Sequence, residues 1–239
     1  MLSQLPSELL RHPLIWRGSD LAQVPTPSLQ TGFVELDSEL PGSGWPVRAI
    51  TEVLPKHEGI GELRLFSPAL AGLSAKGKTL VWVAPPYRPY APALEAAGIN
   101  LSQLLIVRTH SSKDTLWVLE QALRSNACGA VLGWLPHTTF RELKRLQFAA
   151  ERSEALAVIF RSKDTAEPTP SALKIRLETA QGGLAVHILK RRGSALTRPI
   201  LLSAFATGLF KIHTDHENVV ARIQFSQTFA RSLSLSTNA

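Results

Sequence analysis

Between Pro55 and Glu62 the chain sets two glycines, Gly59 and Gly61, among the charged residues Lys56, Glu58 and Glu62. A glycine-containing turn that leaves a strand and opens a helix can bind phosphate. In the pattern G-x-x-x-x-G-K-[ST] its backbone N–H groups cradle the oxygens, the Lys neutralises them and the hydroxyl holds Mg²⁺. Here the first glycine position falls on Pro55, and no Lys-Ser or Lys-Thr follows Gly59 or Gly61. Glu58 and Glu62 put carboxylates where phosphate oxygens would sit, so such a loop repels nucleotide. Two glycines in a strand-turn-helix unit are also an ordinary connection, and the neighbouring sequence has to decide between the readings.

Cations form the second chemical signal. The formal net charge is +7, but residues 1–120 sum to −1 and residues 121–239 to +8. Such asymmetry points to an acidic partner, nucleic acid before a membrane surface, with a solvated basic face as the plainer reading. The candidates for contact are Lys174, Arg176, Lys190, Arg191 and Arg192, joined by Lys163, which only the family resemblance given below places in a DNA-facing loop. Alternation puts Lys174 and Arg176 on one face of a strand, and Lys190 to Arg192 closes the strand that returns beside it. Each phosphate neutralised there steepens the salt dependence of log K by about 0.9 on duplex and about 0.7 on single strand. Aromatics for stacking are thin nearby, which leaves base recognition without support, and the same run also suits a protomer interface.

Other reactive residues carry less. His137, His187, His213 and His216 do not compose a metal set: His187 falls on a strand, and His213-x-x-His216 has only Asp215 and Glu217 beside it. A single cysteine, Cys128, excludes an internal disulfide and a cysteine-based zinc site, which suits a reducing cytosol. It reads as a small buried residue ahead of a strand. No metal, cofactor or catalytic group is expected. No apolar run reaches the eighteen or more residues of a membrane span, so the expected location is cytoplasmic.

The elements that would position these residues follow from periodicity. Ile50–Leu54, Thr79–Ala84, Leu104–Arg108, Ala130–Leu135 and Ala155–Arg161 are short, nearly continuous apolar runs. Helical patterns separate them at Glu62–Leu73, Pro89–Ala97, Ser112–Ser125 and Thr138–Ser153. Continuous apolar strands between helices predict a parallel sheet covered on both faces. In the last helix Phe140, Leu143, Leu146 and Phe148 form the expected apolar side, and Arg141, Lys144, Arg145 and Arg152 the charged side. Then the period changes to two at Leu173–Glu178 and Leu184–Lys190 about a Gln181-Gly182-Gly183 turn, an antiparallel hairpin. Ile200–Leu202 is one more short strand. The predicted fold is thus α/β, a three-layer core with a mainly parallel sheet, helices on both faces and an antiparallel C-terminal extension. Its predicted division is an N-terminal arm and linker over 1–30, a core over 31–212 and a tail over 213–239.

With this order the chain resembles the RecA-type ATPase core, and more closely the ImuA family of bacterial translesion-synthesis operons. The resemblance rests on Thr31-Gly-x-x-x-Leu-Asp, Leu40-Pro-Gly-Ser-Gly-Trp-Pro, Thr51-Glu-Val-Leu and Ser171-Ala-Leu-Lys, within residues 30–205. It also shows what is missing. Where recombinases place a catalytic Glu after the second core strand the chain has Ala84-Pro85-Pro86, and where an Asp ends the fourth it has Ala130-Val-Leu-Gly-Trp134. Losing the phosphate cradle, the base and the Mg²⁺ ligand together removes each component of phosphoryl transfer, so no enzymatic activity is expected.

The resemblance implies a scaffold of SOS-induced translesion synthesis. Its implied partners are an ImuB-like inactive polymerase homologue and an error-prone C-family DNA polymerase, with RecA and single-stranded DNA as further contacts. A SulA-like inhibitor of cell division acting on FtsZ is the rival, since SulA is also a RecA-like fold without a P-loop.

Overall fold

The computed structural model describes residues 27–162, 169–181, 183–193 and 196–203. In order come β1 (Ser28–Leu29), α1 (Val34–Asp37), β2 (Trp45–Pro46), β3 (Ile50–Pro55), α2 (Glu62–Ala75), β4 (Thr79–Val83), α3 (Ala91–Ala96) and β5 (Leu104–Val107). They are followed by α4 (Ser112–Arg124), β6 (Cys128–Trp134), α5 (Phe140–Glu151), β7 (Leu156–Phe160), β8 (Leu173–Ala180), β9 (Gly183–Lys190) and β10 (Ile200–Leu202). Eight strands form one sheet in the order β10-β9-β8-β3-β7-β6-β4-β5. Every pairing from β8 to β5 is parallel, whereas β9 runs antiparallel to both β8 and β10. The expected fold class, α/β with a mainly parallel sheet and helices, is the observed one.

Apolar runs become central strands because both faces of the sheet are covered. All five residues of β7 are buried. Its Leu156, Val158 and Phe160 join one core with Leu65, Phe66 and Leu70 of α2, while Ala157 and Ile159 join the other with Leu119 of α4 and Leu146 of α5. Each fully buried Leu or Ile contributes roughly 1.5–3 kcal/mol, and the apolar sequence of β7 has no polar side to spare. Two helix termini are fixed by their sequence as well. Ser111 caps α4, accepting from the Asp114 N–H at 3.1 Å, and Thr139 caps α5 in a reciprocal box with Glu142. Among the described residues no helix is long and apolar enough to cross a membrane.

Two sequence expectations are corrected here. The first concerns α5, whose buried side is Leu143, Leu146, Ala149 and Ala150; Phe140 and Phe148 are exposed. Alanines allow close contact between helix and sheet, and the two rings fall on the opposite part of the 3.6-residue wheel. The second concerns the segment before Gln30, expected as linker: Ser28 and Leu29 pair antiparallel with Pro46 and Trp45. The remainder of the arm, residues 1–26, and the tail lie outside the described residues.

The Thr31-Gly-x-x-x-Leu-Asp motif is a local fold device. The Thr31 N–H donates to Asp37 Oδ1 at 2.9 Å, and Thr31 Oγ1 accepts the Phe33 N–H at 3.0 Å. Leu36 is buried in the core beside Leu40 and Trp45. Gly32 sits at φ +86° against α2, where an added Cβ would meet Pro68 Cβ at 2.5 Å. A larger residue there would be excluded twice, by the left-handed backbone and by the contact.

Candidate functional site

The loop from β3 to α2 opens onto a cleft of about 520 Å³ along the C-terminal ends of the parallel strands, lined by Lys56, Glu58, Glu62, Trp134, Phe160 and Arg161 among others. Open α/β sheets place their ligands at this edge. Gly59 and Gly61 both take positive φ, 78° and 104°, which turns their N–H groups toward the start of α2. Those donors are engaged. Glu62 Oε1 accepts the Gly59 N–H at 3.0 Å and Glu62 Oε2 accepts the Gly61 N–H at 3.1 Å. A carboxylate of the chain itself therefore occupies the anion position that the loop and the positive end of the helix create. Of the two acids that the sequence sets in the phosphate positions, Glu62 takes the donors. Glu58 is beside Tyr87, and its carboxylate holds that phenol above its ordinary value.

The wall of the cleft is aromatic where a nucleotide site would be acidic. Trp134, the last residue of β6, stacks on Phe160 with centroids 4.7 Å apart and planes 15° apart, and lies 6.0 Å from Trp82. Phe66 meets Phe160 edge-on at 6.0 Å and Trp45 at 4.5 Å, so one chain of rings runs from β2 through α2 and β7 to β4. Gly133 precedes Trp134 because α4 comes close: an added Cβ would lie 2.6 Å from Leu119 Cδ1. At this strand end the sequence supplies aromatic packing. Among the described residues no group of three or more His, Cys, Asp or Glu is arranged to hold a metal ion.

Behind the cleft lies an ion pair that sequence reasoning missed. Glu52 of β3 is 0% exposed and Arg161, just after β7, is 6% exposed. Arg161 Nη1 donates to Glu52 Oε2 at 2.7 Å, and its Nη2 donates to the Thr138 carbonyl at 2.9 Å. The other carboxylate oxygen of Glu52 accepts from the Ser171 hydroxyl at 2.5 Å and from the Thr169 hydroxyl. Two of the four pieces that carry the resemblance, Thr51-Glu-Val-Leu and Ser171-Ala-Leu-Lys, meet at this carboxylate. A buried charge is tolerated only when paired and hydrogen-bonded, which ties β3, β7 and β8 to one another. No local signal in the sequence joins residues more than a hundred positions apart.

The six basic candidates are distributed unevenly. Lys174 is buried, and its strand position pairs with Lys190. Arg176 is half-buried and pairs with His187 across the strands. Lys190 Nζ donates to the Thr169 carbonyl at 2.5 Å; burial pushes its ammonium below the ordinary 10.5, Lys174 adds to the effect and Glu52 opposes it. Arg191 Nη1 donates to the backbone carbonyl of Glu39 and lies 3.1 Å from its carboxylate, which closes the turn after α1. Arg192 is exposed. Lys163 lies outside the described residues.

A family model described as cell division inhibitor SulA matches residues 49–157, from the residue before β3 into β7. A SulA of Photorhabdus laumondii is 32% identical over 109 residues, covering 46% of this chain and 62% of the relative. An ImuA of Caulobacter vibrioides is 30% identical over 142 residues, covering 57% of this chain and 58% of the relative. A SulA of Edwardsiella piscicida is 28% identical over 100 residues, 42% of this chain and 60% of the relative. The chain thus spans about three-fifths of the length of these relatives. The resemblance read from the motifs holds: the chain is similar to both ImuA and SulA proteins.

Proposed function

We propose that this chain is a RecA-like scaffold that does not hydrolyse nucleotide and serves translesion DNA synthesis, in the manner the ImuA resemblance implies. The observation that carries the non-catalytic part is Glu62 seated on the Gly59 and Gly61 N–H groups, where it competes with any phosphate. The strand order, with β3 flanked by β7 and β8 and the antiparallel β9 and β10 beyond, supports the RecA-like reading of the core. Support for the repair role comes from the ImuA match, 30% identical over 57% of this chain. On this reading the protein binds an ImuB-like polymerase homologue and an error-prone C-family polymerase, with RecA as a further contact. Lys190 and Arg192 touch single-stranded DNA.

A second reading is favoured by the family model over 49–157: an SOS cell-division inhibitor that acts on FtsZ. One pair of measurements separates the two. The full-length chain is tested for co-purification with the ImuB-like and C-family polymerases, and for inhibition of FtsZ polymerisation in light scattering. Polymerase association without an effect on FtsZ supports the scaffold. FtsZ inhibition without association replaces it with the second reading. Saturable ATP binding with hydrolysis would overturn both.

A further inference from the structure

The outer face of α5 carries aromatic residues that the fold does not use. With Leu143, Leu146, Ala149 and Ala150 turned into the sheet, Phe140, Lys144 and Phe148 follow one another at four-residue spacing on the solvent side. Phe140 is 48% exposed and Phe148 56%, and Trp117 on the neighbouring α4 is 49% exposed. Buried Glu120 fixes the two helices in register, binding Arg124 at 2.7 Å and Arg145 at 2.6 Å. Both helices return between parallel strands and so run the same way. Trp117 and Arg141 each lie about one turn ahead of that ion pair, level with one another.

The charges around these rings lean positive, although the exposed Glu151, three residues after Phe148, adds a carboxylate that accepts from Gln147 Nε2 at 3.3 Å. Glu120 is taken by its two arginines, Glu142 by the cap of α5 and Asp114 by Ser111. Among the described residues Arg141, Lys144 and Arg152 have no ion-pair partner. Lys144 Nζ rests 5.6 Å from the centre of the Phe148 ring.

We propose that this α4–α5 face receives an acidic amphipathic helix from a protein partner. Exposed aromatics with arginines beside them are the residue types that concentrate at protein interfaces. Phe140 and Phe148 lie eight residues apart, about 12 Å along the axis, which matches apolar anchors two turns apart on a facing helix. The unpaired cations call for carboxylates on its flanks. Successive nucleotides would need rings much closer together, and Lys144 covers the Phe148 face on which a base would stack. This surface is independent of the loop at Glu62 and does not rest on the reading of that loop.

The test uses the full-length chain and three fluorescein-labelled probes in anisotropy titrations at low and high salt. One is a helix-constrained peptide with leucines two turns apart between glutamates, one has the same composition with the leucines spread around the helix, and one is a twenty-nucleotide oligo-dT. The amphipathic peptide is expected to bind at low salt, at least tenfold more tightly than the spread-face peptide, and to weaken as salt rises. Its affinity should fall at least tenfold in Phe140→Ala/Phe148→Ala and in Arg141→Glu/Lys144→Glu. The four side chains are exposed, so both variants should melt as the wild type does. Equal binding of the two peptides, or unchanged binding in either variant, would overturn the proposal. Oligo-dT binding that these variants abolish, without preference for the amphipathic peptide, would give the face to nucleic acid instead.

Discussion

Changing Arg161 to Met would leave the Glu52 carboxylate buried without its guanidinium, while the hydroxyls of Thr169 and Ser171 still donate to its other oxygen. Breaking a buried pair from one side costs about 3–5 kcal/mol, because the stranded charge loses both water and partner. The two hydroxyls bind the other oxygen before and after the change, so the lower end of that range, roughly 3 kcal/mol, is the expected destabilisation. In a domain of this size that lowers the melting temperature by about 6–12 °C. Adding Glu52→Gln to Arg161→Met removes the stranded charge and should restore about 2 kcal/mol, so the double variant is more stable than the sum of the single changes implies. Urea denaturation followed by far-UV circular dichroism at pH 7, on the wild type, both single variants and the double, measures this coupling. A loss below about 1 kcal/mol in Arg161→Met, or strict additivity in the double variant, would refute the account of Glu52 as a buried charge held by its partners.

Three further outcomes are expected. Glu62→Ala removes the carboxylate from the Gly59 and Gly61 N–H groups and should cost about 1 kcal/mol in urea denaturation, as for a lost helix cap, with phosphate release from ATP staying at background. Gly133→Val drives a side chain into Leu119 and should cost about 1–3 kcal/mol, read as a lower urea midpoint at unchanged slope. Burial holds the Cys128 thiol above its ordinary 9.0, against the Ser125 hydrogen bond that lowers it, so iodoacetamide at pH 8 should modify the native protein far more slowly than the urea-unfolded chain. The linkage has one sign: the unfolded thiol ionises first, so stability falls relative to Cys128→Ala as pH climbs past 9.0.

The sheet was legible because burial on both faces writes itself into the chain as unbroken apolar runs. β7 and β6 could be read within a residue or two of their observed ends. The wheel of α5 was not, because hydropathy ranks Phe above Ala whereas close contact with the sheet selects Ala149 and Ala150 and leaves Phe140 and Phe148 outside. At the loop, the sequence showed Glu58 and Glu62 as carboxylates that repel nucleotide, and not that one of them bonds the loop's own N–H groups. Which acid reaches the N–H groups depends on the positive φ of Gly59 and Gly61 and on where α2 begins. The Glu52–Arg161 pair had no local signature, since it is a contact across strands that the topology alone makes neighbours.

The seat of Glu62 also bears on timing. On the proposed reading, a carboxylate one and three residues along the chain from its donors competes with ATP or phosphate from within the loop. A machine driven by hydrolysis alternates between charged and spent forms, and its grip on a partner is released by chemistry. On that same reading a loop closed by its own chain offers one form only. What such a protein holds, and for how long, is then governed by how much of it is made, how fast each partner dissociates and when the chain is degraded. On the proposed reading, control rests on synthesis and turnover in place of a nucleotide clock.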